Sequence, residues 1–306
     1  GMLLSVVNAD EREQPMTQDG TEVRMTVAAG GGRQLEVLVA GPADGLPLVF
    51  HNGTPCGLVA FGPMTAAAGA RGLRTVMYAR PGYGASTPQP GRRVADAAGD
   101  VAAVLDGLGA ERFVSAGWSG GGPHALATAA LLPQRCLGVA AIDGLSPCMG
   151  DGAGWLAGMA AESQAEFGAA ISGEAELADF LTAEAVGLRD VTAEQLTDGL
   201  EQGPDLAVLA GEFGGYLAES LRVGVAGGIA GWRDDDLALV ANWGFPPGAG
   251  APAAVWHGDH SAHGTWLAAN LPRARGHRIP GAGHVSLMVN QFAMILDDLL
   301  NLAGVR

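Results

Sequence analysis

The chain has 306 residues, 48% of them hydrophobic and only 16% charged, which supplies a large core and argues against a disordered chain. Its 17 basic and 32 acidic residues give a formal charge of -15, which repels nucleic-acid phosphates and anionic membranes and leaves a small molecule as the expected partner. Cys56, Cys136 and Cys148 lack metal-ligand spacing and read as reduced thiols, so a cytoplasmic protein with no metal and no cofactor is expected, its oligomeric state open.

In chain order, Gly1 before Met2 reads as a tag remnant. The run "MLLSVVNADEREQ" has too short an apolar part, and no basic start, for a signal peptide. No apolar run nears the roughly 20 residues of a membrane helix. From Thr21, "TEVRMTVAAGGGRQLEVLVAG" alternates with period two on both sides of Gly30 to Gly32 and predicts an antiparallel hairpin. After it, "LPLVFHNG", "RTVMYARPG", "RFVSAGW", "CLGVAAIDG" and "APAAVWHG" are short, nearly continuous apolar runs, the pattern of parallel strands buried on both faces. Helical spacing separates them at Arg92 to Leu108 and at Pro123 to Leu132, and returns at Ser286 to Leu302. The alternation predicts an α/β fold with a mostly parallel, doubly wound sheet and an antiparallel start.

The rhythm breaks at residues 147–247, where "DFLTAEAVGL", "VTAEQLTDGL" and "DLAVLAGEFGGYLAESL" are amphipathic and no strand is evident. Because the strand pattern resumes at Ala253, this segment reads as a helical cap inserted into a core formed by residues 1–146 and 248–306.

The stretch "SAGWSGGGPHALA" places Ser119 between a strand and a helix, within G-x-S-x-G at Gly117 to Gly121. A chain turning that sharply has no room for β-carbons two residues either side, and the turning residue is forced toward positive φ. The turn lifts the hydroxyl clear of the sheet and aims the helix's positive end at an approaching oxygen. A phosphate loop would need a lysine after the glycines, where Pro123 and His124 stand. A serine nucleophile needs a base, a group to orient the base, and donors for the oxyanion. His284, in the glycine-bounded loop of "IPGAGHVSLMV", is the candidate base; the other six histidines read as structural or surface residues. The turn in "VFHNGTPCG" can aim the Thr54 amide into the same space as that of Gly120, giving two fixed donors.

"HNGTP", "ARPGYGAST", "GWSGGGPHALA" and "GAGHVSL", in this order, resemble the alpha/beta-hydrolase fold superfamily, and more narrowly its capped bacterial members similar to proline iminopeptidases and esterases. The likeness spans about Thr21 to Leu300 outside the cap. It implies a serine nucleophile at Ser119, a histidine base at His284, and backbone donors at Gly120 and Thr54. It also implies a structural and pocket-lining role for the "RPGYGAS" loop, with Arg80, Gly82 and Gly84 outside the chemistry. The chain departs from the family at His51–Asn52, where His-Gly is usual, and at the acid. The usual acid position falls on Ser261 in "VWHGDHSAHGTWLA", and a serine cannot carry the charge. Two aspartates remain: Asp259, two residues earlier, and Asp143, at the end of the preceding strand, where some members, certain dehalogenases among them, carry the acid. A residue missing at one strand tip and a carboxylate present at the other suggest a swap toward Asp143.

The resemblance implies a serine hydrolase of a small ester, lactone or amide acting through an acyl-enzyme; the alternative is a non-catalytic small-ligand-binding protein on the same fold. Epoxide and haloalkane opening use a carboxylate at the elbow, which Ser119 argues against. Trp118 beside the nucleophile is a candidate substrate-binding residue, and Trp155, Phe167, Phe213, Tyr216, Trp232 and Trp243 are candidate pocket aromatics. An iminopeptidase needs acidic cap residues, for which Glu162, Glu166, Glu212 and Asp234 to Asp236 are available, although surface solubility explains them as well.

Overall fold

The computed structural model describes residues 22–305 apart from positions 151, 199, 201 and 249. The expectations about Gly1 and the amino-terminal apolar run lie outside the described residues.

Eight strands form one sheet: β1 (Val23–Ala29), β2 (Arg33–Ala40), β3 (Leu46–His51), β4 (Leu73–Tyr78), β5 (Phe113–Trp118), β6 (Cys136–Ile142), β7 (Ala253–Gly258) and β8 (Arg275–Ile279). Their spatial order is β1-β2-β4-β3-β5-β6-β7-β8. β1 and β2 make the expected hairpin, and β2 runs antiparallel to β4; all later pairings are parallel. Gly31 and Gly32 both take φ of 74°, a conformation glycine adopts without strain, which is why the hairpin turns there. Every residue of β4, β5 and β7 is buried, as continuous apolar runs in a sheet covered on both faces require.

The helices are α1 (Gly62–Gly69), α2 (Ala97–Gly107), α3 (Gly121–Leu131), α4 (Ala153–Leu156), α5 (Ala161–Ser172), α6 (Glu174–Leu188), α7 (Pro204–Leu209), α8 (Glu212–Val225), α9 (Ala230–Val240), α10 (Ala262–Asn270) and α11 (His284–Ala303). One sheet face packs on α2, α3 and α10 through Val101, Leu105, Leu126 and Leu267. The other packs on α1 and α11 through Phe292, Ile295, Leu296 and Leu299. α11 has the length and mean hydropathy, 1.2, of a membrane span, yet it lays one apolar face on this sheet.

α4 to α9 all lie between β6 and β7, with no strand among the described residues there. The apolar cluster beside α11 continues into them through Leu177, Leu181, Phe213 and Trp232, so core and insertion share one hydrophobic interior. Within the insertion, residues 191–198 depart from the helix expected for them. Thr192 and Gln195 exchange two side-chain-to-amide bonds that would start a helix, but only the 3-10 turn Gln195–Thr197 forms before Asp198 leaves in extended geometry. The run from Asp205 to Leu221 is likewise two helices. A β-carbon at Gly214 would stand 1.9 Å from the Leu209 carbonyl, so glycine lets α8 fold back tightly against the end of α7.

Candidate active site

β3 sits between β4 and β5, so the chain leaves it on one side and resumes on the other; in open α/β sheets a crevice opens at the carboxyl ends of such strands. Ser119 and the Thr54 turn emerge there. Ser119 has φ of 55°, a strained value for a non-glycine residue, between the end of β5 and the start of α3. The glycines two residues either side admit no side chain. A β-carbon at Gly117 would lie 2.2 Å from the Gly121 carbonyl oxygen, and one at Gly121 would lie 2.1 Å from that of His51.

The Thr54 turn presses against this elbow. A β-carbon at Gly53 would be 3.3 Å from the Ser119 β-carbon, and one at Gly120 would be 2.7 Å from Thr54 Oγ1. Beneath the turn lies a buried ion network. Arg80 donates to the Asn52 carbonyl at 2.8 Å, to Thr54 Oγ1 at 3.2 Å, and to Asp235 Oδ2 at 2.5 Å. Asp235, on α9, also accepts from Arg92 at 2.6 Å, Tyr83 Oη at 3.0 Å and Thr54 Oγ1 at 3.0 Å. Burial opposes a charge on Asp235, but Arg80 and Arg92 outweigh it and hold the carboxyl well below the usual range. His124 Nδ1 bonds the Gly120 carbonyl at 2.8 Å; burial, then Arg80, push its pKa down to about 3, so the neutral ring donates that bond.

Asp143 follows β6 with φ of 43°, its amide donating to the Trp256 carbonyl at 2.7 Å. Its Oδ2 lies 2.6 Å from His284 Nδ1. The carboxylate accepts a hydrogen bond from Nδ1–H, which leaves Nε2 as the ring's acceptor. Burial disfavours the imidazolium of His284, yet the bond to Asp143 and its charge prevail and raise the His284 pKa. Burial likewise pushes Asp143 up, but the bond and charge of His284, with help from the Ser261 hydroxyl, bring it below its ordinary value. His284 opens α11, whose first turn is held from the insertion: Asp205 accepts from the amides of Ser286 at 2.7 Å and Val285 at 3.2 Å.

Ser119, His284, Asp143, Gly120 and Thr54 all line one cavity of about 380 Å³. Of the other residues expected at the site, Asp259 is elsewhere: it accepts from Arg278 at 2.8 Å and the Gly281 amide at 2.8 Å, fixing the loop before His284 instead of touching the imidazole. Trp118 is buried behind the site, its Nε1 donating to the His284 carbonyl at 3.1 Å and its ring 5.1 Å from the imidazole, so it supports the base and is no wall of the cavity. Phe167 is a wall, and Trp155 packs edge-on behind it at 5.1 Å; Trp243 stacks on Phe245 in the core.

Several residues went unrecognised in the sequence. His260 and His263, read as structural or surface residues, line the cavity, and Ser261 caps α10 while steadying Asp143. Of the acidic residues considered for a free amino terminus, Glu166 lines the cavity, with Oε1 2.6 Å from Trp232 Nε1. Asp236 is fully buried beside it, and burial, then the Glu166 charge, hold its carboxyl well above the usual range. Glu162 and Glu212 are exposed, as a solubility role requires.

The family model for the alpha/beta hydrolase fold matches residues 47–291. The chain belongs to that family. This alpha/beta-hydrolase is 32% identical over 126 residues to a non-heme chloroperoxidase of Streptomyces lividans, covering 40% of the chain and 46% of the relative. It is 33% identical over 116 residues to epoxide hydrolase B of Mycobacterium tuberculosis, covering 36% of the chain and 33% of the relative. The alpha/beta-hydrolase thus spans less than half the length of these curated relatives. Its fold is similar to that of an enol-lactonase from Burkholderia xenovorans LB400, with a TM-score of 0.63 at 23% identity, covering 90% of this chain and all of the other.

Proposed function

We propose that the protein is a serine hydrolase that cleaves a small ester, lactone or amide through an acyl-enzyme. The observation that carries this reading is the 2.6 Å bond between Asp143 and His284, on the cavity that Ser119 also lines. Ser119 Oγ attacks the substrate carbonyl while His284 Nε2 takes the hydroxyl proton. The amides of Thr54 and Gly120 stabilise the tetrahedral oxyanion. The imidazolium returns its proton to the leaving group as the scissile bond breaks, and water, deprotonated by the same nitrogen, then releases the acid and restores Ser119. Asp143 keeps the Nδ1 tautomer and stabilises the imidazolium. Ser119 in place of a carboxylate separates this chemistry from the epoxide opening named for the Mycobacterium relative. Glu166 on the cavity wall offers an acceptor to a substrate group bearing a hydrogen-bond donor.

A fluorophosphonate probe tests the reading. Labelling of the folded protein, lost in Ser119→Ala together with turnover of p-nitrophenyl acetate, supports it. A folded protein that is neither labelled nor active across acyl esters, lactones and prolyl amides refutes it and favours the small-ligand-binding alternative.

A further inference from the structure

Asp235 belongs to the inserted helices and lines no part of the cavity, yet four side chains converge on its carboxylate from the core. Two of them lead to the site. Arg80 ties the carboxylate to the Asn52 carbonyl and to Thr54 Oγ1, and Thr54 Oγ1 itself donates to Asp235, so the turn is gripped by a closed triangle of Arg80, Thr54 and Asp235. Tyr83 closes the back of the triangle through Oη at 3.0 Å. On the far side, the buried His124 ring stands 3.7 Å from Asp235 and holds the Gly120 carbonyl. Thr54, through its hydroxyl, and Gly120, through its carbonyl, are thereby both tied to the network around one carboxylate carried by α9.

We infer that Asp235 is a positioning residue for the oxyanion site, fixing the Thr54 amide through Arg80 and the Thr54 hydroxyl. The inference rests on the serine-hydrolase reading above. A charge network that only held the insertion down would need no bond to Thr54, which lines the cavity. Here the hydroxyl both accepts from Arg80 and donates to Asp235, which leaves Thr54 a single side-chain orientation. A displacement of about 1 Å in such a group costs about a hundredfold in rate.

The test compares Thr54→Val, which deletes the hydroxyl at constant shape, with Thr54→Ser, which restores it, alongside Tyr83→Phe and Asp235→Asn. Thr54→Val leaves the Arg80 and Arg92 pairs with Asp235 intact, so it carries the test even if Asp235→Asn fails to fold. The readouts are kcat and KM for p-nitrophenyl acetate, and affinity for a trifluoromethyl ketone whose hemiketal with Ser119 carries the oxyanion. Thr54→Val is expected to lose about a hundredfold in kcat with KM within threefold. It should weaken the ketone by a similar factor and leave the pH profile in place, since His284 and Asp143 are untouched. Thr54→Ser is expected to stay within about fivefold of the parent. A folded Thr54→Val with unchanged kcat and ketone affinity, or a loss confined to KM, overturns the inference while the parent's turnover keeps the hydrolase reading standing. A parent protein that neither turns over esters nor takes a fluorophosphonate overturns both.

Discussion

Replacing Asp143 by asparagine takes one charge from behind His284 while keeping the side chain's shape. With the carboxylate bonded to Nδ1 at 2.6 Å, the two charge centres lie near 4 Å apart. At an effective dielectric of about 20 this favours the imidazolium by about 4 kcal/mol. The ring is partly open to the cavity, its side chain 44% exposed, so solvent reduces that to roughly half, or about thirtyfold in imidazolium population. The tautomer adds the larger loss. Asparagine can turn its amide N–H toward Nδ1, which moves the ring proton to Nε2, the nitrogen that must accept from Ser119. Together the two effects predict a fall in kcat of about 10⁴. The pH profile provides an independent check. His284 must be neutral to act as base, so activity is lost as pH falls through its pKa. Because Asp143 raises that pKa, the acid limb of kcat/KM in the parent is expected above about 6.5, and any residual activity of Asp143→Asn should show the limb at lower pH. The assay is p-nitrophenyl acetate hydrolysis from pH 5 to 9, with Asp259→Asn as the comparison, expected within about fivefold of the parent. An Asp143→Asn enzyme within tenfold of the parent, or an equal loss from Asp259→Asn, would refute the assignment.

Two further predictions concern the frame of the site. Gly121→Ala sets a β-carbon 2.1 Å from the His51 carbonyl and must part β3 from the elbow, whereas Gly99→Ala in α2 meets nothing within 4 Å. Thermal unfolding should show a loss of about 1–3 kcal/mol or more for the first and a gain of up to about 1 kcal/mol for the second; equal melting temperatures would contradict the clash. Asp236 is held above the usual carboxylate range by burial and then by Glu166, so the folded protein binds a proton that the unfolded chain releases near pH 4. Stability therefore falls as pH rises from there toward the raised value. Asp236→Asn removes that dependence and should gain on the parent in melting temperature between pH 5 and pH 8; a difference independent of pH would show that the carboxyl is ionised throughout.

The hairpin, the buried parallel strands, α2, α3 and α11 were legible because each rests on local periodicity and local glycines. The elbow was legible for the same reason: the clashes at Gly117 and Gly121 arise within a few residues of Ser119 and the neighbouring strand end. Asp143, one of three non-glycine residues with positive φ among those described, gave no such signal, because its strain depends on where β7 and α11 stand. The acidic triplet Asp234 to Asp236 misled most. In the sequence it reads either as cap acids for a free amino terminus or as a solvated face, yet all three residues are at least 97% buried, and the partner that explains Asp235, Arg80, is 155 positions away. The "RPGYGAS" loop, read as structural and pocket-lining, supplies that partner, and its Gly82 lets the loop approach the backbone of Gly231 at the start of α9. Thr192 and Gln195 show the opposite error, a sound start signal with no packed helix to follow it.

Asp205 bears on how this chain could be re-engineered. It reaches from α7 into the first turn of α11, so close that a β-carbon at Gly283 would fall 2.4 Å from its carboxylate oxygen. A chimera that exchanged the segment between β6 and β7 for that of another enzyme would strip the amides beside His284 of their acceptor, even with every core residue retained. A donor segment would need a carboxylate in the same register, or residue 283 would have to be recruited along with it.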